Sequence, residues 1–97
     1  MSITMITVAN FTKNGAEALH HYVEGTLPLL KQSGAKILRY GGDEALVGEE
    51  VFDLVAIMEF PSDKAMRHFL HSEDYAAMKS HRDEAFEFIK TFACKTL

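Results

Sequence analysis

Arg82 is the side chain whose neighbours along the chain pose a chemical question. It falls in register with Tyr75, Met78 and Phe86, an apolar stripe at helical spacing. Three and four residues away on either side stand Met78, Lys79, Ala85 and Phe86, none of them an acid. No ion pair within the helix can therefore satisfy the guanidinium. An inward-facing guanidinium needs a partner from elsewhere, because an unpaired buried charge is expensive. Glu59, the C-terminal carboxylate of Leu97 and a bound anion are the three candidates. A structural role, either a salt bridge tying helix to sheet, with Glu59 as the preferred partner, or a side chain snorkelling to water, is favoured over a ligand carboxylate. Glu59 ends an apolar run just before Pro61, where strands open into loops that often carry site residues. On an interior face desolvation would raise its pKa and make it a general base; beside Arg82 it would stay ionised.

Other side chains able to do chemistry are the five histidines, three tyrosines and one cysteine. His20 and His21 are adjacent, so on a helix they diverge by about 100° and cannot chelate together. His68 and His71 have i, i+3 spacing, but Ser72 restarts a helix there and no Cys or paired acid completes a ligand set. No metal site is expected. His20 borders an apolar stripe near Tyr22 and reads as a cavity-edge group or a partly buried polar packer; His81 reads as solvent-facing. Cys94 has no activating motif and reads as a small buried hydrophobe. No glycine-rich phosphate loop and no serine nucleophile elbow is present. The expected ligand-facing set is Arg82 with the hydroxyls of Tyr75, Tyr40, Tyr22 and Ser72. The residues expected to move a proton are Glu59, His20 and His71. This set calls for no tightly bound cofactor.

These groups need a scaffold, and 97 residues supply a single domain spanning residues 1–97. Apolar residues at 47% and charged residues at 25% are ordinary for a globular chain and exclude disorder and collagen-like repeats. Ten Lys and Arg against fourteen Asp and Glu give a net charge of −4, which argues against a nucleic-acid or anionic-membrane partner. No apolar run reaches the roughly 18 residues of a membrane helix. The start, Met1 to Met5, shows no basic region before an apolar one, so no secretory signal is expected. One cysteine suits a reducing cytosol.

Ile3 to Phe11 is β-branched and apolar and reads as a strand. Asn14 with Glu17 three residues later has capping-box spacing. The stripe Ala16, Leu19, Val23, Leu27 and Leu30 then predicts a helix, with a kink or restart near Thr26 caused by Pro28 and a stop at Gly34. Ala35 to Tyr40 and Val51 to Phe60 read as strands joined by a polar loop. Ser62 caps a short helix, Ser72 caps another running from Glu73 to about Phe88, and Ile89 to Leu97 reads as a last strand. The order β-α-β-β-α-β is an α+β, ferredoxin-like arrangement: a four-stranded antiparallel sheet with both helical segments on one face.

The third strand is apolar on both faces. Phe52, Leu54, Ala56, Met58 and Phe60 occupy one side; Val51, Val55 and Ile57, with Asp53 and Glu59, occupy the other. A sheet with one wet face alternates apolar and polar residues. The helices shield only one side, which leaves an apolar patch of a size unusual on a monomer. A homodimer joined sheet to sheet is the expected partner, enclosing a barrel-like interior. The alternative is a monomer roofed by its own hairpin and C-terminus.

Tyr22, Gly34 to Leu38, the run Ile57-Met58-Glu59-Phe60-Pro61-Ser62, and His71-Ser72-Glu73-Asp74-Tyr75 followed by Arg82 resemble the family known as domain of unknown function 1330, within the dimeric α/β-barrel superfamily. Ala35 stands where that family often has a second glycine, and Glu73-Asp74 replaces a Pro-Glu pair. The resemblance implies a ferredoxin-like dimer and carries no established activity. The wider superfamily includes cofactor-independent monooxygenases, isomerases and regulatory ligand-binding modules. Two functions follow as expectations. One is a site for a small apolar or aromatic anionic molecule, served by a cofactor-independent enzyme of monooxygenase or isomerase type. The other is a non-catalytic, ligand-sensing or structural dimeric module.

Overall fold

The computed structural model describes residues 2–97; Met1, part of the leader reading, lies outside them. Strand β1 (Ile3–Phe11) leads to helix α1 (Ala16–Gln32), strand β2 (Lys36–Tyr40), strand β3 (Leu54–Phe60), three short helices α2 (Asp63–Leu70), α3 (Glu73–Ala76) and α4 (Lys79–Ala85), and strand β4 (Phe86–Cys94). The sheet has the order β2-β3-β1-β4, and every neighbouring pair is antiparallel. This is the ferredoxin-like α+β fold. Its extents of 34 × 34 × 16 Å leave room for one sheet and one helical layer.

Period-2 alternation sends Met5, Thr7 and Ala9 of β1, with Ala56, Met58 and Phe60 of β3, beneath the helices, where all six are buried. Leu30 of α1 with Met66 and Phe69 of α2 cover one half of that face. Ala18 of α1, with Ala85 and Phe86, covers the other, around Ala9. Small residues at the second contact let α1 and α4 approach closely. A Cβ at the buried Gly15 would sit 2.8 Å from the Glu84 carbonyl oxygen, so glycine is required there for space.

Several boundaries depart from the sequence reading. Gly15, not Asn14, is the N-cap of α1, and no side chain caps it, so the capping box does not form. The helix runs unbroken through Pro28 with no restart at Thr26; the proline ring stays on the exposed side. Strand β3 starts at Leu54 because at Asp53 the ladder gives way to side-chain bonds, the Asp53 N–H donating to Asn10 Oδ1 and the Phe11 N–H to the Asp53 carboxylate. The last helix breaks into α3 and α4 and ends at Ala85, and β4 starts at Phe86 rather than Ile89. Phe86 turns extended and buries its ring, gaining a β1 partner at Phe11 that helical geometry would deny it.

The helix-free face carries Leu38, Ile57, Ile6 and Phe92 in one row across the four strands, followed by Tyr40, Val55, Val8 and Lys90. Leu38 and Tyr40 are each 55% exposed and Phe92 45%. The hairpin does not roof this face: residues 41–51 are all exposed, with Val47 at its tip 97% so. Residues 95–97 are exposed as well. Cys94 lies on this face beside Thr4, half-buried rather than in the core.

Candidate functional site

Between α1 and the covered face of the sheet lies a cavity of about 90 Å³. Its floor is Thr7, Ala56 and Met58, its roof Tyr22, Val23 and Thr26 of α1, and Tyr75 closes one side. The lining is mostly apolar, so its few polar groups decide what it can hold.

Those groups form a short chain. Tyr22 and Tyr75 place their hydroxyl oxygens 3.0 Å apart, with rings edge to face. Arg82, on α4, donates from Nη1 to the Tyr75 hydroxyl at 3.4 Å and holds its guanidinium carbon 5.8 Å from that ring's centroid. Tyr75 is positioned by its own helix start. Ser72 accepts from the Tyr75 N–H and donates to the Phe69 carbonyl, so its hydroxyl is spent on capping α3. On the floor, Thr7 and Thr91 join hydroxyls at 2.7 Å. Thr26 is 7% exposed, and its hydroxyl, on the cavity wall near Tyr22, makes no hydrogen bond among the described residues. Burial first, and then Tyr75, push the Tyr22 phenol far above its ordinary range, so it remains a neutral donor.

The Arg82–Glu59 pair does not form. Glu59 is exposed on the opposite face of the sheet, between Thr4 and Lys36 in the register. The side-chain period of two that buries Met58 and Phe60 turns Glu59 away. Asp83 is the nearest acid to Arg82, 3.9 Å from Nε, and its other oxygen is taken by Lys79 at 2.7 Å. Hydrogen bonding to Lys79 holds the Asp83 carboxyl below its usual range. Arg82 therefore packs on a phenol rather than answering a buried carboxylate.

Of the residues expected to form a site, Arg82, Tyr75 and Tyr22 converge. The others do not. His20 is exposed and paired with Glu24 at 2.7 Å. His71 ends α2 and faces a shallow surface groove. Tyr40 points from the helix-free face. His81 is half-buried, its ring 5.2 Å from that of His21. No three His, Cys, Asp or Glu side chains gather to hold a metal among the described residues. Sequence reasoning missed Thr26, Thr91 and Arg39. Thr26 was detectable by its i, i+4 spacing from Tyr22. Arg39 lines the cavity from β2 while remaining exposed, and no ion pair among the described residues engages it.

A four-stranded antiparallel sheet with its helices on one face and a small cavity beneath α1 defines the class: an α+β protein of ferredoxin-like fold. The chain belongs to the family described as domain of unknown function 1330, whose model matches residues 5–93. A protein of unknown function from Rhodopseudomonas palustris is similar at 25% identity and a TM-score of 0.85, over 99% of this chain and 82% of that one. A dimeric protein of unknown function and ferredoxin-like fold from Bacteroides fragilis matches at 11% identity and a TM-score of 0.66, over 98% and 96% of the two chains. A cofactor-independent oxygenase from Streptomyces nogalater matches at 11% identity and a TM-score of 0.71, over 98% and 92%. No curated protein matches. No helix of the described residues is long and apolar enough to cross a membrane.

Proposed function

We propose that this chain is the single-domain subunit, residues 1–97, of a homodimer joined through its sheet faces. Each subunit holds a small, mostly apolar molecule with an oxygen-bearing or anionic end in the cavity beneath α1. The observation that carries the binding reading is the cavity itself: an apolar space whose wall includes a buried hydroxyl with no protein partner, that of Thr26. Arg39, charged and unpaired where the lining meets solvent, is the group we assign to an anionic end. Arg82 stands one step back, against Tyr75. The helix-free face supports the dimer, since its apolar rows lie open and the fold is shared with a Bacteroides fragilis protein described as dimeric.

Binding is preferred to catalysis on one observation. Among the described residues the cavity wall contains no carboxylate, imidazole or thiol, and of its two tyrosines the buried Tyr22 is held neutral, so it offers hydrogen-bonding hydroxyls and no strong base. Glu59, His20 and His71 lie elsewhere and receive no part in binding. The Streptomyces nogalater oxygenase shares the fold, which extends no chemistry to this chain. A ligand-sensing module is therefore the favoured role, in the reducing cytosol that a lone Cys94 suits.

A thermal-shift screen of small ketones, carboxylates and phenols tests this. We expect a melting temperature that rises with dose for at least one class. Ala56→Leu, which fills the floor of the cavity, is expected to abolish the rise while the protein still folds. A screen without any rise defeats the binding reading.

A further inference from the structure

The hydroxyls on this wall carry a direction. An arginine has only donors, so the Tyr75 oxygen accepts from Arg82. Either hydroxyl of the Tyr22–Tyr75 pair, 3.0 Å apart, can donate to the other; with Arg82 already donating to Tyr75, one arrangement turns the Tyr75 hydrogen toward the Tyr22 oxygen. In that arrangement Tyr22 receives from Tyr75, and its own hydrogen is free for another partner. One helical turn further along the same side of α1, the buried Thr26 hydroxyl lies near enough to lower the Tyr22 pKa, yet its geometry makes no hydrogen bond among the described residues. Both side chains line the cavity. The result is two free O–H groups on an otherwise apolar roof, and a buried polar group without a partner is unfavourable until something pairs with it.

We propose that Tyr22 and Thr26 together grip a hydrogen-bond acceptor, a carbonyl oxygen at the buried end of an otherwise apolar ligand, and that Arg82 is the positioning residue that turns the hydroxyl chain toward it. This rests on the cavity reading above and adds to it the chemistry of the ligand's inner end. A ligand whose inner end only donates, such as an ammonium, leaves both hydroxyl hydrogens unpaired and brings a second positive charge toward Arg82 across Tyr75. The cavity, about 90 Å³, sets the scale at a compact ring or short branched chain rather than a fused aromatic system.

The test uses three probes of one shape: cyclopentanone, which accepts; cyclopentylamine, which donates; and methylcyclopentane, which does neither. Amide chemical-shift titrations give dissociation constants for the parent protein and for isosteric variants. We expect the parent to prefer cyclopentanone over the amine. Tyr22→Phe and Thr26→Val are each expected to weaken cyclopentanone about tenfold, one hydrogen bond's worth, while moving methylcyclopentane by less than twofold. Thr26→Ser, which keeps the hydroxyl, retains cyclopentanone. Arg82→Met weakens cyclopentanone about fivefold without affecting methylcyclopentane, and Arg82→Lys restores it, a pattern that a purely structural arginine would not give. Thr26→Val melts no lower than the parent, because it removes an unpaired hydroxyl; a lower melting temperature would mean that the hydroxyl has a partner inside the protein and overturns the assignment. Probes that bind the parent but ignore all the substitutions, or a preference for the amine, overturn the donor assignment and leave the cavity reading standing. If no probe binds the parent, both fall.

Discussion

Tyr22 is the residue where packing and ionisation meet. Its ring stands edge-on to Phe86 at 5.4 Å between centroids, and its hydroxyl meets Tyr75. That environment favours the neutral phenol over the phenolate, so the folded-state pKa lies above the ordinary value of 10.0. The consequence for stability has a definite sign. Below pH 10 both folded and unfolded states hold the proton and the contribution is complete. Above it the unfolded chain releases a proton that the folded chain keeps, so stability falls as pH rises, by at most about 1.4 kcal/mol per unit for one group. Urea unfolding between pH 9 and 11 should show this decline, and Tyr22→Phe should flatten it; an unchanged slope would mean that the phenol is not held neutral. Arg82, by contrast, keeps its charge throughout that range and only directs its neighbours.

At the scale of elements, the placement of the site depends on how closely α1 lies against α4. Thr12 N–H donates to the Ala85 carbonyl at 2.9 Å, and Gly15 packs where any side chain would meet the Glu84 carbonyl. Gly15→Ala should therefore cost about 2 kcal/mol by denaturant titration, an overpacking cost that exceeds the small helix-propensity gain available at a cap. A loss below half that would show that α1 and α4 can separate without harm. The capping serines act in the same architecture. Ser62 and Ser72 accept from Ala65 and Tyr75 N–H groups, and so set where α2 and α3 begin and where Tyr75 stands. Ser72, read from sequence as a ligand group, is thus a positioning element for one.

For the whole molecule, the helix-free face is the dominant feature. Ile57 lies in its middle, with Leu38 on one side and Ile6 on the other. A single helical layer cannot cover two faces, and leaving several hundred Å² of apolar surface in water forgoes about 25 cal/mol per Å² that a second subunit would recover. Sedimentation at micromolar concentration is expected to find the parent at twice 10.9 kDa and Ile57→Lys at 10.9 kDa. A parent sedimenting at 10.9 kDa removes the dimer; it does not touch the cavity, which lies wholly on the other side of the sheet.

Local patterning was enough to read most of this architecture from the chain. Alternation in Leu54 to Phe60, the helical stripe of α1 and the two serine caps depend on residues within a turn or a strand of one another, and they emerge as expected. Tyr75 and Arg82 were likewise recognisable as polar groups on an apolar stripe, and Tyr22 as a hydroxyl beside another. Their partners were not, because a contact between residues 53 apart, as for Tyr22 and Tyr75, depends on which face each element turns inward and where it stops. The preferred pairing of Arg82 with Glu59 failed for that reason: a single residue's parity in β3 sends the carboxylate through to the far side of the sheet. The unpartnered Thr26 hydroxyl becomes visible only once helix, sheet and Tyr75 close around the same space, since burial is a property of the packed chain and not of any segment.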